Sequence, residues 1–66
     1  MNIGDKIKDL RIEKRISQTK LAQDLGLAQN TLSQYENNIA KPSIDTLVLI
    51  AKYFNVSTDY LLGLEE

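Results

Sequence analysis

The chain has 66 residues, with eight Lys and Arg against nine Asp and Glu, and neither His nor Cys. That is room for one domain, and it excludes a disulfide framework, thiolate chemistry, an imidazole base and the usual zinc ligands. A formal net charge of −1 with 42% hydrophobic residues excludes a strongly basic nucleic-acid-coating protein and an acidic disordered tail alike.

The pattern is helical throughout and predicts five short helices. The first spans about residues 3–14, with Ile3, Ile7 and Leu10 on one face and Asn2 as N-cap. Ile12 falls on the opposite face. The second spans about 18–25. Ser17 is its N-cap, Ile16 staples to Leu21, and Leu21, Ala22 and Leu25 form the buried stripe. Gly26 ends it in the left-handed region. The third spans about 29–36, stapled by Leu27 and Leu32, with only Leu32 and Tyr35 facing the core. The fourth spans about 44–54 after Pro42 and the cap Ser43. Ile44, Leu47, Val48, Ile50, Ala51 and Phe54 make it the most apolar helix and the expected centre of the core. The fifth spans about 58–62, capped by Ser57, with Val56 stapled to Leu61 and Asp59 near its positive end.

The longest apolar run, residues 47–51, is far short of the roughly 20 residues that span a bilayer. No apolar signal stretch follows Met1. The expectation is a cytoplasmic protein without membrane association.

Residues 17–36 form two helices of about two turns each around a tight turn at Gly26. Ala22 is small where the helices cross, and Leu25, Leu27 and Leu32 bracket the turn. These are the physical requirements of a helix-turn-helix. The second of these helices is polar over most of its surface. Gln29, Asn30, Thr31, Ser33 and Gln34 are neutral, and their amides can donate to and accept from adenine in the major groove. The bland reading is a solvated face. Solvated helix faces more often carry Lys and Glu, which have better helix propensity.

From Ile3 to Leu62 the chain resembles the phage-repressor and Cro-type helix-turn-helix family, also called the xenobiotic-response-element family. The resemblance rests on residues 7–11 (IKDLR), Ser17-Gln18, Leu21-Ala22, Leu25-Gly26, residues 32–37 (LSQYEN), Pro42-Ser43, Leu47, Ile50-Ala51 and residues 56–62 (VSTDYLL). It implies an all-α, compact five-helix, lambda-repressor-like DNA-binding domain over 1–66, with helices 2 and 3 as the motif. It implies double-stranded DNA as partner, a palindromic operator, and a dimer with recognition helices about 34 Å apart. A repressor blocking polymerase is the activity implied.

By the same resemblance, Gln29, Asn30 and Gln34 are base-reading positions. Gln18 touches phosphate or braces the recognition helix, and the two roles stay open. Thr31 and Ser33 flank the reading face, reaching phosphate or a thymine methyl. Asn37 and Lys41 contact the DNA backbone, although Lys41 also reads as an ordinary solvated charge. Arg11 pairs with Glu36 as a structural ion pair and can also face phosphate. Dimer-interface positions are Ile39, Pro42, Val56, Tyr60 and Leu64, with a core role as the alternative for Val56. Arg15, Ala28, Asn38 and Ile39 depart from the family pattern. Arg15 stands where a glycine often ends the first helix, and Ala28 where Ser or Thr caps the recognition helix. Asn38 replaces a frequent glycine, and Ile39 is apolar in a usually polar loop.

The alternative function is a protein-interaction module on the same fold, such as an antitoxin or anti-repressor partner. An enzyme is not expected. The carboxylates are scattered, and Asp5, Asp9 and Glu13 interleave with Lys6, Lys8 and Lys14 as a solvated face. No cofactor, metal or small-molecule ligand is expected. Charge divides along the chain: residues 1–41 carry net +2 and residues 42–66 net −3. The motif half is thus positive despite the acidic whole. Few phosphate contacts and a shallow salt dependence follow.

Overall fold

A computed structural model describes residues 3–65 as five helices: α1 (Ile3–Glu13), α2 (Gln18–Leu25), α3 (Gln29–Glu36), α4 (Ile44–Phe54) and α5 (Thr58–Leu62). The expected N-cap Asn2 lies outside the described residues.

Local chemistry sets most of the boundaries. Ser17, Ser43 and Ser57 sit in extended backbone, and each hydroxyl accepts from an N–H three residues on: Lys20 at 3.0 Å, Thr46 at 3.2 Å and Tyr60 at 2.9 Å. Each bond satisfies a donor that the helix start would otherwise leave unpaired. Ala28 occupies the same position before α3 and makes no side-chain cap. α2 stops at Gly26, whose φ of 72° suits a residue without Cβ. α1 ends at Glu13, one residue earlier than expected, and Arg15 turns the chain at φ 60°. That left-handed conformation is strained for a side-chain-bearing residue.

The centre of the core takes one side chain from each helix. Ile7, Leu21, Leu32, Ile50 and Leu61 are fully buried and belong to one cluster. Ala22, Leu25 and Ala51 complete it. The staple residues Ile16, Leu27 and Val56 pack against its edge. At about 2–5 kcal/mol for truncating a buried Leu or Ile to Ala, each of the five is a large share of a small domain's stability.

One expectation is corrected. α4 is the most apolar helix but not the central one. α3 packs against α1 and α2 more extensively than any other helices pack together, whereas α4 lies to one side against α2 and α5. Ile44 and Val48, expected in the core, are exposed, as is Leu49. Apolar residues surround more than half of α4, and a helix at the edge of a bundle buries only the arc facing its neighbours. No helix among the described residues is long and apolar enough to cross a membrane.

Candidate nucleic-acid interface

α3 buries Leu32 and half-buries Tyr35, and with them it buries Glu36. At 100° per residue the opposite arc of the helix carries Gln29, Ser33, Asn30 and Gln34, and the following turn adds Asn37. Gln29, Asn30 and Asn37 are exposed; Ser33 and Gln34 are half-buried. Thr31 is half-buried on the flank of this face. Gln18, from the first turn of α2, joins Gln29, Asn30 and Ser33 around an open concavity of about 330 Å³. The expected base-reading residues therefore share one face, although Gln34 does not line the concavity.

A polar chain fixes this face to the scaffold. The Glu36 side chain is only 2% exposed and lies against the Arg11 guanidinium. Arg11 Nε donates to Glu36 Oε2 at 2.8 Å and Nη2 donates to Oε1 at 3.1 Å, a two-pronged match of fork to carboxylate. Arg11 Nη1 donates to the Ile16 carbonyl at 3.2 Å. All three guanidinium nitrogens are thus engaged inside the protein. The hydrogen bonds that Arg11 donates to Glu36 push the Arg11 pKa above its ordinary value, further from deprotonation.

Gln18 Nε2 also donates to Glu36 Oε1, at 3.2 Å. Its own Oε1 accepts from Gln29 Nε2 at 3.5 Å, a long contact between exposed groups. The chain Arg11–Glu36–Gln18–Gln29 runs from α1 through α3 and α2 to the first residue of the exposed face. Gln18 thus braces α3, one of its two expected roles. On the far side of the face, Asn37 Nδ2 donates to Ser33 Oγ at 3.3 Å.

Of the remaining expected residues, Lys41 is exposed in the loop after α3. Ile39 and Leu64 are each 74% exposed. Pro42 is half-buried. Val56 and Tyr60 are half-buried against the core, and Lys6 lies 4.6 Å above the Tyr60 ring. These interface candidates are therefore of two kinds, two open and three partly covered.

Two roles in the frame have no counterpart in the sequence reading, which singles out Asn38 only as the replacement for a frequent glycine. Gly4 lies so close to α3 that a Cβ there would meet the Tyr35 carbonyl oxygen at 2.1 Å. Asn38, at φ 60°, accepts from the Gly4 N–H through its Oδ1. Neither role has a local signal, because the partners are 34 residues apart.

A family model described as helix-turn-helix matches residues 7–61. The chain belongs to the helix-turn-helix family. It is 39% identical over 66 residues to the HTH-type transcriptional regulator ImmR of Bacillus subtilis (strain 168), covering all of this chain and 52% of that protein. Over 53 residues it is 35% identical to the cryptic phage CTXphi transcriptional repressor RstR of Vibrio cholerae, covering 80% of this chain and 48% of that protein. The fold matches the P22 c2 repressor protein, solved in complex with the synthetic operator 9T in the presence of Tl+. The TM-score is 0.90 at 28% identity, over 98% of both chains. The lambda-repressor-like fold expected from sequence is the fold observed. The chain spans about half the length of the curated relatives it matches.

Proposed function

We propose that this helix-turn-helix chain is a cytoplasmic, sequence-specific regulator of transcription, a repressor that binds double-stranded DNA as a homodimer on a palindromic operator. The observation that carries the reading is the neutral amide face of α3. Gln29, Asn30 and Gln34 project from the arc opposite the core, on a helix whose other arc is held firmly against α1 and α2. A helix fits the major groove, and Gln and Asn amides can pair with adenine N6 and N7. The names of the relatives and the operator bound to P22 c2 repressor support the same reading.

In this proposal Gln29, Asn30 and Gln34 read bases. Thr31, Ser33, Asn37 and Lys41 meet the flanking backbone. Gln18 holds Gln29 in a productive direction before binding, which lowers the ordering cost on complex formation. Arg11 belongs to the frame, since its nitrogens already have partners. The task is binding rather than catalysis. Ile39 and Leu64 are the exposed apolar candidates for the dimer contact, beside Pro42, Val56 and Tyr60.

The exposed apolar residues Ile12, Ile39 and Ile44 favour a second reading, a module that binds another protein. Selection of duplexes from random DNA separates the two. The regulator reading expects an enriched palindrome, and loss of that enrichment in Q29A and Q34A. Each substitution should cost about 1–3 kcal/mol on the selected duplex. Recovery of no sequence above background would leave the protein-binding reading.

A further inference from the structure

The solvent face of α4 is left unused by the α3 site, and it gathers three of the exposed large apolar residues on one helix. Ile44, Val48 and Leu49 are 80%, 37% and 44% exposed. At 100° per residue these three, with Asp45 and Lys52, occupy one arc of about 140°. Asp45 and Lys52 are also exposed, and they belong to neither of the ion pairs Arg11–Glu36 and Lys20–Asp24. Leu47, Ile50, Ala51 and Phe54 occupy the opposite arc and pack into the core.

The order of these residues is self-complementary. Asp45 and Lys52 lie near the midline of the exposed arc, seven residues or about 10.5 Å apart. Val48 and Leu49 sit between them, one on each side of the midline. A twofold axis passing between Val48 and Leu49 turns the helix onto an antiparallel copy of itself. Asp45 then meets Lys52 of the copy, and Lys52 meets its Asp45. Val48 packs on its own counterpart along one edge and Leu49 along the other. A second copy of the chain satisfies both charges and both apolar edges at once, and a twofold contact is by nature between identical surfaces.

We infer that the exposed face of α4 is a self-association surface, which pairs with the same face of a second copy in an antiparallel arrangement about a twofold axis between Val48 and Leu49. This rests on the homodimer proposed above and gives it a surface other than the Ile39 and Leu64 positions expected from sequence. Two helices of 11 residues cannot cover the roughly 1,200–2,000 Å² of a standard stable interface. The association is therefore weak and concentration-dependent, and it falls as salt screens its two ion pairs.

Sedimentation equilibrium of the whole chain at low salt tests the surface. The wild type should self-associate. D45K and K52D should each weaken the association about tenfold, because each replaces two attractions with two repulsions. The combined D45K/K52D variant should recover to within about threefold of wild type, because the pairs re-form in reverse.

Charge reversal also opposes the α4 dipole, so a second measurement does not depend on it. The chain has no Cys. V48C places a thiol within disulfide reach of its counterpart near the axis. Under air oxidation it should form a covalent dimer at least tenfold faster than I12C, a thiol on α1 at a position more open to solvent than Val48. A wild type that stays monomeric, with V48C no faster than I12C, overturns this surface, and the homodimer falls with it if the selected duplexes also carry no palindrome. That outcome leaves the α4 face to a different protein. Self-association that D45K and K52D leave unchanged, again with V48C no faster than I12C, overturns the surface and retains the homodimer.

Discussion

Asn38 caps a helix to which it does not belong. Its Oδ1 accepts from the Gly4 N–H at 3.1 Å, one of the donors that the start of α1 cannot satisfy internally. Its Nδ2 donates to Asp5 Oδ1 at 3.2 Å. The left-handed backbone at Asn38 is what turns the side chain back toward α1, and Asn tolerates that conformation better than most residues. N38A loses the cap and adds left-handed strain, so it should lower stability by about 1–2 kcal/mol in urea. N38G loses the cap but relieves the strain, and its loss should be smaller. Equal loss in the two variants would remove the strain from the account.

Gly4 makes that approach possible. Ala is the better helix former by about 1 kcal/mol. Yet a Cβ at position 4 meets the Tyr35 carbonyl oxygen at 2.1 Å and Asn38 Oδ1 at 2.6 Å, so α1 must move away from α3. G4A should therefore destabilise by about 1–3 kcal/mol, in the range of an overpacked core. A G4A protein as stable as wild type in urea would show that α1 shifts without cost.

The Arg11–Glu36 pair should respond asymmetrically to substitution. R11A leaves a carboxylate buried without its main partner and should cost about 3–5 kcal/mol. R11M/E36L removes both charges and should be clearly less damaging than R11A. Q18A removes one bond to Glu36 and the contact with Gln29, so its effect on thermal unfolding should be small. On the selected duplex it should cost more, because Gln29 loses its restraint. A thermal loss in Q18A as large as that in R11A would make Gln18 a pillar of the fold.

DNA affinity should depend weakly on salt. Among the residues proposed to meet the DNA backbone, Lys41 is the one cation not already committed elsewhere. With a slope of about −0.9 per neutralised phosphate, a dimer should show a log–log salt slope shallower than about −4. A slope near −8, measured by fluorescence anisotropy across salt, would mean that Lys14, Arg15 or Lys20 also reach phosphate.

A second polar cluster joins α2 to α4 and sets a pH response. Tyr53 Oη donates to Asp24 Oδ2 at 2.6 Å, and Lys20 Nζ lies 3.0 Å from Asp24 Oδ1. The Tyr53 hydrogen bond, then that of Lys20, lowers the Asp24 pKa below its ordinary 3.8. The unfolded chain therefore takes up this proton first as pH falls. The stabilisation is full above about pH 4 and is lost as pH drops through the lowered value. The same bond raises the Tyr53 pKa above its ordinary 10.0. The unfolded chain then loses its phenolic proton first, and the contribution fades as pH rises above about 10. Y53F should flatten both limbs of a stability–pH curve. Unchanged limbs would assign them to other groups.

Much of this molecule is legible in its sequence because the causes are local. Ser17, Ser43 and Ser57 cap helices through bonds that span three residues, and Gly26 ends α2 through its own φ. The polar face of α3 follows from helical spacing alone. The Arg11–Glu36 pair is what resemblance to the family implies, and in the structure the two side chains meet at 2.8 Å. Tertiary structure decided the rest. Periodicity could not say which arc of α4 meets its neighbours, because apolar residues lie on both arcs, and so Ile44 and Val48 were expected in the core. The clasp of Asn38 on Gly4 and the bond of Tyr53 to Asp24 join residues far apart in the chain. Such contacts exist only after packing brings the helices together, and no local pattern records them.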